Sequence, residues 1–235
     1  MQWLRVRYAK RGRMRFTSHR DFARAFERAI VRAGVPMAYS SGFSPHPRIS
    51  YAGASPTGAA SEAEYLEIGL ARVLDPHDVR TSLDESLPPG LDVLAVVAAT
   101  GVALSDRLQA SRWRISLPEV DSVTAGSAVA AFLAADQIPV ERMTKKGLRT
   151  FDCRGAVLSL SVSSGSDPGA LCAIIEVVLR HAIPAVRPDD VLAGLRKTGG
   201  LGVGPAPLFE RLAQGPLDPR SGTVGDPLAP DRDSA

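Results

Sequence analysis

The sequence predicts an α+β protein of two ferredoxin-like, βαββαβ-type units with antiparallel sheets, followed by a disordered C-terminal tail. Three observations carry this reading. Apolar residues alternate at a period of two in several short runs, capped helical patterns separate those runs, and the same succession recurs less sharply beyond residue 111.

The first run sets Leu4, Val6 and Tyr8 against Trp3, Arg5 and Arg7, as on a strand with one apolar and one basic face. Gly12 allows a kink, after which Met14 and Phe16 resume the alternation against Arg13 and Arg15. Ser18 reads as a helix N-cap with Asp21 in the acidic position of a capping box, and Gly34 as the stop of a helix from about His19 to Ala33. Phe22, Phe26 and Ile30 form its apolar stripe. Arg20, Arg24, Arg28 and Arg32 recur every four residues and form a ridge on the opposite side.

Downstream, VPMAY reads as a short strand, and RISYA and EAEYLEIGLA as further extended segments. DPHDVRTSLDESL is a helix capped by Asp75 with Pro76 at its first turn, and LDVLAVVAA closes the unit. The boundaries are 1–100 for this basic domain, 111–198 for the second unit and 199–235 for a flexible Gly/Pro-rich tail, with the seam in TGVALSDRLQA. In the second unit SRWRISLPE is a strand and SVTAGSAVAAFLAAD a helix. A strand, a turn at Lys146-Gly147 and a strand pair follow, then a buried strand over ALCAIIEVVLR and a short helix over RPDDVLAGLRK.

Charge separates the chain more than its net +3 shows. Residues 1–50 hold eleven Lys/Arg and two acids, a local +9, which leaves −6 for the rest. Such a concentration points to a polyanionic partner. No run reaches the ~18 apolar residues a membrane helix needs, and no signal peptide is evident, so the expected compartment is the cytoplasm, without membrane association.

Between strand and helix patterns lies SSGFSPHPRISYAG, residues 40–53. Pro45 and Pro47 restrict Ser44 and His46 to extended backbone, so the loop is stiff. Phe43, His46 and Tyr51 are candidates to stack on unpaired bases. Arg13, Arg15, Arg20, Arg24, Arg28, Arg32 and Arg48 are candidates for phosphates, with Lys145 and Lys146 as an auxiliary basic tip. If the chain is an enzyme, His46 is the candidate general acid or base of a metal-independent RNA-processing reaction. No nucleophile motif or carboxylate pair accompanies it. GGLGVG at 199–204 follows no strand pattern and opens no helix, and the four histidines and two cysteines show no ligand spacing. No cofactor and no metal are expected.

RMRFTSHRDFARAFERAIVRAGVPMAYSSGFSPHPRISYA, with EAEYLEI downstream and TKKGLRTFDCR later, resembles the radical-SAM-linked protein family. That family is a domain of unknown function found fused to, or encoded beside, B12-binding-type radical SAM proteins. The resemblance implies a radical SAM protein as partner. This chain lacks the CxxxCxxC of such an enzyme, so the radical chemistry would belong to another polypeptide. Three functions are consistent with the residues: an RNA-binding accessory for modification or processing of tRNA or rRNA, an RNA-processing enzyme using His46, and a docking module that touches no nucleic acid.

Overall fold

The structure, a computed structural model, describes residues 1–144, 147–165, 171–202, 204 and 206–233. It divides into two compact units, one of Met1–Leu108 joined by the residues from Asp226, the other Gln109–Gly225.

In the first unit the order is β1 (Gln2–Lys10), a 3-10 turn (Gly12–Phe16), α1 (His19–Arg32), β2 (Ile49–Ala52), β3 (Ala60–Leu70), α2 (Pro76–Ser86), β4 (Leu91–Ala98) and the short α3 (Leu104–Arg107). Every strand pair is antiparallel, in the spatial order β4-β1-β3-β2. A helical crossover from β1 to β2 and another from β3 to β4 generate that order, which is the ferredoxin-like arrangement. Leu4, Val6 and Tyr8 of β1 and Leu66, Ile68 and Leu70 of β3 face Phe22, Phe26 and Ile30 of α1 and Val79 and Leu83 of α2 in one core.

Two local expectations are corrected. RMRF does not resume a strand. Gly12, at a φ of 52° that disfavours side chains, turns the chain into the 3-10 segment, which tucks Met14 against the core and leaves Phe16 60% exposed. VPMAY forms only bridges, Met37 to Leu70 and Tyr39 to Pro47. Its place on the edge of β3 is taken by β2 across residues 65–68.

The second unit runs β5 (Ala110–Pro118), α4 (Ser122–Ala134), β6 (Pro139–Thr144), β7 (Gly147–Asp152), β8 (Val157–Ser164), β9 (Cys172–Arg180), α5 (Pro188–Gly199) and β10 (Leu208–Gly215). Its antiparallel order is β10-β5-β9-β8, the same arrangement with a β6–β7 hairpin inserted before the second strand. α4 and α5 approach very closely. A Cβ on Gly199 would lie 2.4 Å from Ala128 Cα, so glycine is required there for the two backbones to meet.

The chain beyond residue 199 is therefore not a disordered tail among its described residues. Eight residues of it are β10, the strand that completes the second unit, and Phe209 and Arg211 pair with Ile115 and Trp113. The last segment returns to the first unit as α6 (Ala229–Arg232). Leu228 packs with Leu104, Leu108, Ala63 and Tyr65 on the sheet face away from α1. Beside it, the fully buried carboxylate of Asp231 accepts hydrogen bonds from Arg5 Nη1 at 2.8 Å, Arg107 Nη1 at 2.8 Å, and both the N–H and the hydroxyl of Thr100.

Burial alone would push the Asp231 carboxyl up, but hydrogen bonds from Arg5, Thr100 and Arg107 outweigh it and hold the pKa below the ordinary carboxylate value. In the unfolded chain that pKa returns to about 3.9, so the stabilisation is complete above that pH and is lost as pH falls through the folded value. Asp231→Ala should destabilise the first unit by about 3–5 kcal/mol by denaturant unfolding at neutral pH, because two guanidinium groups lose their shared buried counter-charge. The gap between wild type and variant should narrow on acidification.

Candidate nucleic-acid interface

Helix α1 gives the candidate interface its spine. Ser18 caps it by accepting the Asp21 N–H at 3.2 Å, and its hydroxyl donates to the Asp21 carboxylate at 2.6 Å. The second bond differs from the expected capping box, in which Asp21 would take the Ser18 N–H. Phe22 and Phe26 are buried. Phe22 stacks on Tyr8 with ring centroids 4.4 Å apart and planes within 3°, which fixes the helix's rotation on the sheet.

With that rotation set, Arg20, Arg24, Arg28 and Arg32 all face solvent. None has a carboxylate within ion-pair distance among the described residues. At a rise of 1.5 Å per residue the ridge is about 18 Å long. Arg24 and Arg28, with Glu27 and the exposed Val31, line a shallow depression along it.

The strand face is another matter. Arg5 is buried at 3% exposure between Glu67 and Asp231, Arg7 donates to the Glu62 carbonyl, and Arg11 bridges Glu62 and Asp92. Burial works against the Arg5 charge, but its bonds to Glu67 and Asp231 leave the pKa raised. The basic strand face read from the sequence is thus taken up within the protein: Arg5 pairs with carboxylates in a buried site, Arg7 with a main-chain carbonyl, and Arg11, beyond the strand, with two carboxylates at the surface.

The loop holding His46 is pinned at its neck. Ser40 N–H donates to the His46 carbonyl at 2.9 Å and His46 N–H donates to Ser40 Oγ at 3.0 Å, while Arg48 N–H donates to the Ala38 carbonyl and Arg48 Nε to that of Tyr39. Phe43 is 106% exposed at the tip, so it does not fold back on the core. The exposed His46 imidazole has no hydrogen-bond partner among the described residues, and only its main chain is engaged.

Ala38 N–H bonds the Gly69 carbonyl, at the end of β3 that pairs with Trp3. The crossover helix ends there too, so this loop lies at the Arg32 end of the ridge. The 3-10 turn, with exposed Arg13 and Phe16, lies at the Arg20 end. Arg15 is half-buried, its guanidinium 4.7 Å over the Phe16 ring. The alternation in RMRF would put Phe16 on the apolar face of a strand; the turn at Gly12 places it outside instead.

Tyr51 does not present its ring for stacking. It packs edge-on against His19 at 4.8 Å and Phe22 at 6.0 Å, and its hydroxyl is buried without a hydrogen-bond partner among the described residues. Burial, reinforced by the Glu27 charge, pushes its pKa up to about 12. Lys145 and Lys146 lie outside the described residues. Among the described residues no group of three or more His, Cys, Asp or Glu is arranged to hold a metal, and no helix is long and apolar enough to cross a membrane. Both cysteines are free, and Cys153 is buried in the second unit, where desolvation pushes its thiol up to about 12.

Tyr51→Phe should raise stability by about 1 kcal/mol in denaturant unfolding, since it removes a buried hydroxyl with no hydrogen-bond partner among the described residues. A loss of stability would mean that the hydroxyl has a partner.

Among curated proteins none matches the chain. The crystal structure of an unknown protein from Galdieria sulphuraria is similar at 12% identity, with 89% of this chain and 98% of that one covered and a TM-score of 0.25. The first two RRM domains of the yeast poly(U) binding protein Pub1 are similar at 11% identity over the same shares, with a TM-score of 0.21. Scores this low establish no shared fold. Residues 3–188 match the family described as "Uncharacterized protein conserved in bacteria (DUF2344)", which takes in the whole ridge, the pinned loop and the second unit as far as the start of α5, and the chain belongs to that family.

Proposed function

We propose that the protein binds RNA along α1 and serves as an accessory or substrate-recognition component for RNA modification or processing in the cytoplasm. The observation that carries the reading is the ridge of four exposed arginines without carboxylate partners among the described residues, with the exposed Phe16 near one end and Phe43 at the other. Guanidinium groups in a row neutralise phosphates, and the fully exposed ring of Phe43 can take an unpaired base, while one face of Phe16 is already covered by the Arg15 guanidinium. Four like charges on successive turns repel one another in the free protein, and a polyanion relieves that repulsion.

Arg20, Arg24, Arg28 and Arg32 hold phosphates in this reading, Arg13 and Arg48 extend the path, and Phe43 and His46 meet the base. The stiffness of the loop lowers the entropy lost when the ligand arrives. Single-stranded or looped regions of tRNA or rRNA fit such a site better than duplex, because their bases are free to stack. The resemblance to the radical-SAM-linked family supports a radical SAM protein as the partner that performs the chemistry.

Fluorescence anisotropy with a tRNA and with a single-stranded RNA, at two or more salt concentrations, tests the proposal. Wild type should show a steep salt dependence. Arg24→Glu/Arg28→Glu should weaken binding at least about tenfold and flatten the slope of log K against log salt by about 1.4, at roughly 0.7 per single-strand phosphate. Unchanged affinity would remove the ridge from the interface. Phe43→Ala should weaken single-stranded RNA by about 1–3 kcal/mol and leave thermal unfolding unchanged.

A further inference from the structure

We propose that the free edge of β4 in the first unit takes up a short extended peptide carrying acidic residues, by strand addition. Among the described residues β4 pairs only with β1. Ala99 N–H donates to the Trp3 carbonyl at 2.9 Å, so along this antiparallel ladder Arg5–Val97 and Arg7–Ala95 are the hydrogen-bonded pairs. Val96 and Ala98 therefore turn their N–H and C=O groups away from β1.

The two halves of the edge differ. In the first half the Val93 N–H is taken by the Asp84 carboxylate at 2.7 Å, and the register shifts there. In the second half, Leu94–Ala98 line a groove of about 480 Å³, bounded by Pro76, His77 and Arg80 of α2 and by Arg232. Edges are commonly guarded by lysine or proline, and β4 contains neither.

The charges around the groove select the occupant. Asp75 is committed as the cap of α2, accepting the His77 N–H at 2.8 Å. Asp231 is shared by Arg5 and Arg107, and Arg232 is paired with Asp226 at 2.6 Å. Arg80 has no carboxylate within ion-pair distance among the described residues, so its charge is open to an acidic side chain of the ligand. An open edge of five residues is far smaller than a stable dimer buries, but it matches a peptide strand that gains affinity from main-chain hydrogen bonds.

The test is a titration of the full-length protein with a labelled Glu-Val-Thr-Val-Glu peptide and its lysine-flanked counterpart, followed by anisotropy, with sedimentation velocity of the protein alone. The glutamate peptide should bind more tightly than the lysine one, and Arg80→Glu should weaken it by about fivefold. Ala98→Pro, which removes an outward N–H while sparing the ladder to β1, should abolish binding. If Ala98→Pro disturbs folding, Leu94→Asp sets a repelling charge in the same groove and should weaken the glutamate peptide. Absent binding, equal binding of the two peptides, or unchanged binding by the variants would overturn the proposal. So would a dimer that Ala98→Pro dissolves, since a second copy would then occupy the edge.

Discussion

The rotation of α1 about its own axis is the constraint on which the surface of the first unit depends. Phe22 lies flat on Tyr8, Phe26 follows one turn later with centroids 5.7 Å from Phe22, and both are almost completely buried. Each such ring contributes roughly 1.5–3 kcal/mol by leaving water. A turn of the helix large enough to hide one arginine would expose a phenylalanine. The ridge is thus held outward by the core, although its four charges oppose one another.

Two classes of arginine coexist in the first fifty residues, and the difference between them is topological. Those on β1 lie on a sheet with both faces covered, so Arg5 had to find Glu67 and Asp231. Those on α1 are exposed and have no carboxylate within ion-pair distance among the described residues. Local charge density overstates the electrostatic field available to a ligand, and the surplus that remains is drawn out along one helix. An extended polyanion matches that distribution better than a compact one.

The periodic elements were legible in the sequence because each is specified by its own residues. Ser18 and Asp75 cap their helices as read, and the alternation in EAEYLEIGLA is strand β3. The misreadings arose where distant residues decide. β10 lies between Gly/Pro-rich stretches and carries a buried Arg211, which reads as polar tail until Trp113 is placed 5.4 Å away beneath it. Arg5 and Tyr51 read as surface groups because neither the returning C-terminal segment nor the packing of His19 on the Tyr51 ring has a local signature. Phe43 and the arginine ridge were legible because exposure there follows from an amphipathic helix and a proline-stiffened loop.

The return of the chain to its first unit also bears on biosynthesis. Asp231 is made 226 residues after Arg5. A ribosome adding about 5–20 residues per second reaches Asp231 roughly 7–27 seconds after it completes β4 at Ala98, and the far side of the first sheet is uncovered for that time. During that interval Arg5 has Glu67 once that residue emerges, while the apolar patch around Tyr65 still lacks Leu228. Helix α1 and its ridge need no residue beyond β4 for their packing, so the basic face can form while the opposite face of the same sheet still waits for its lid.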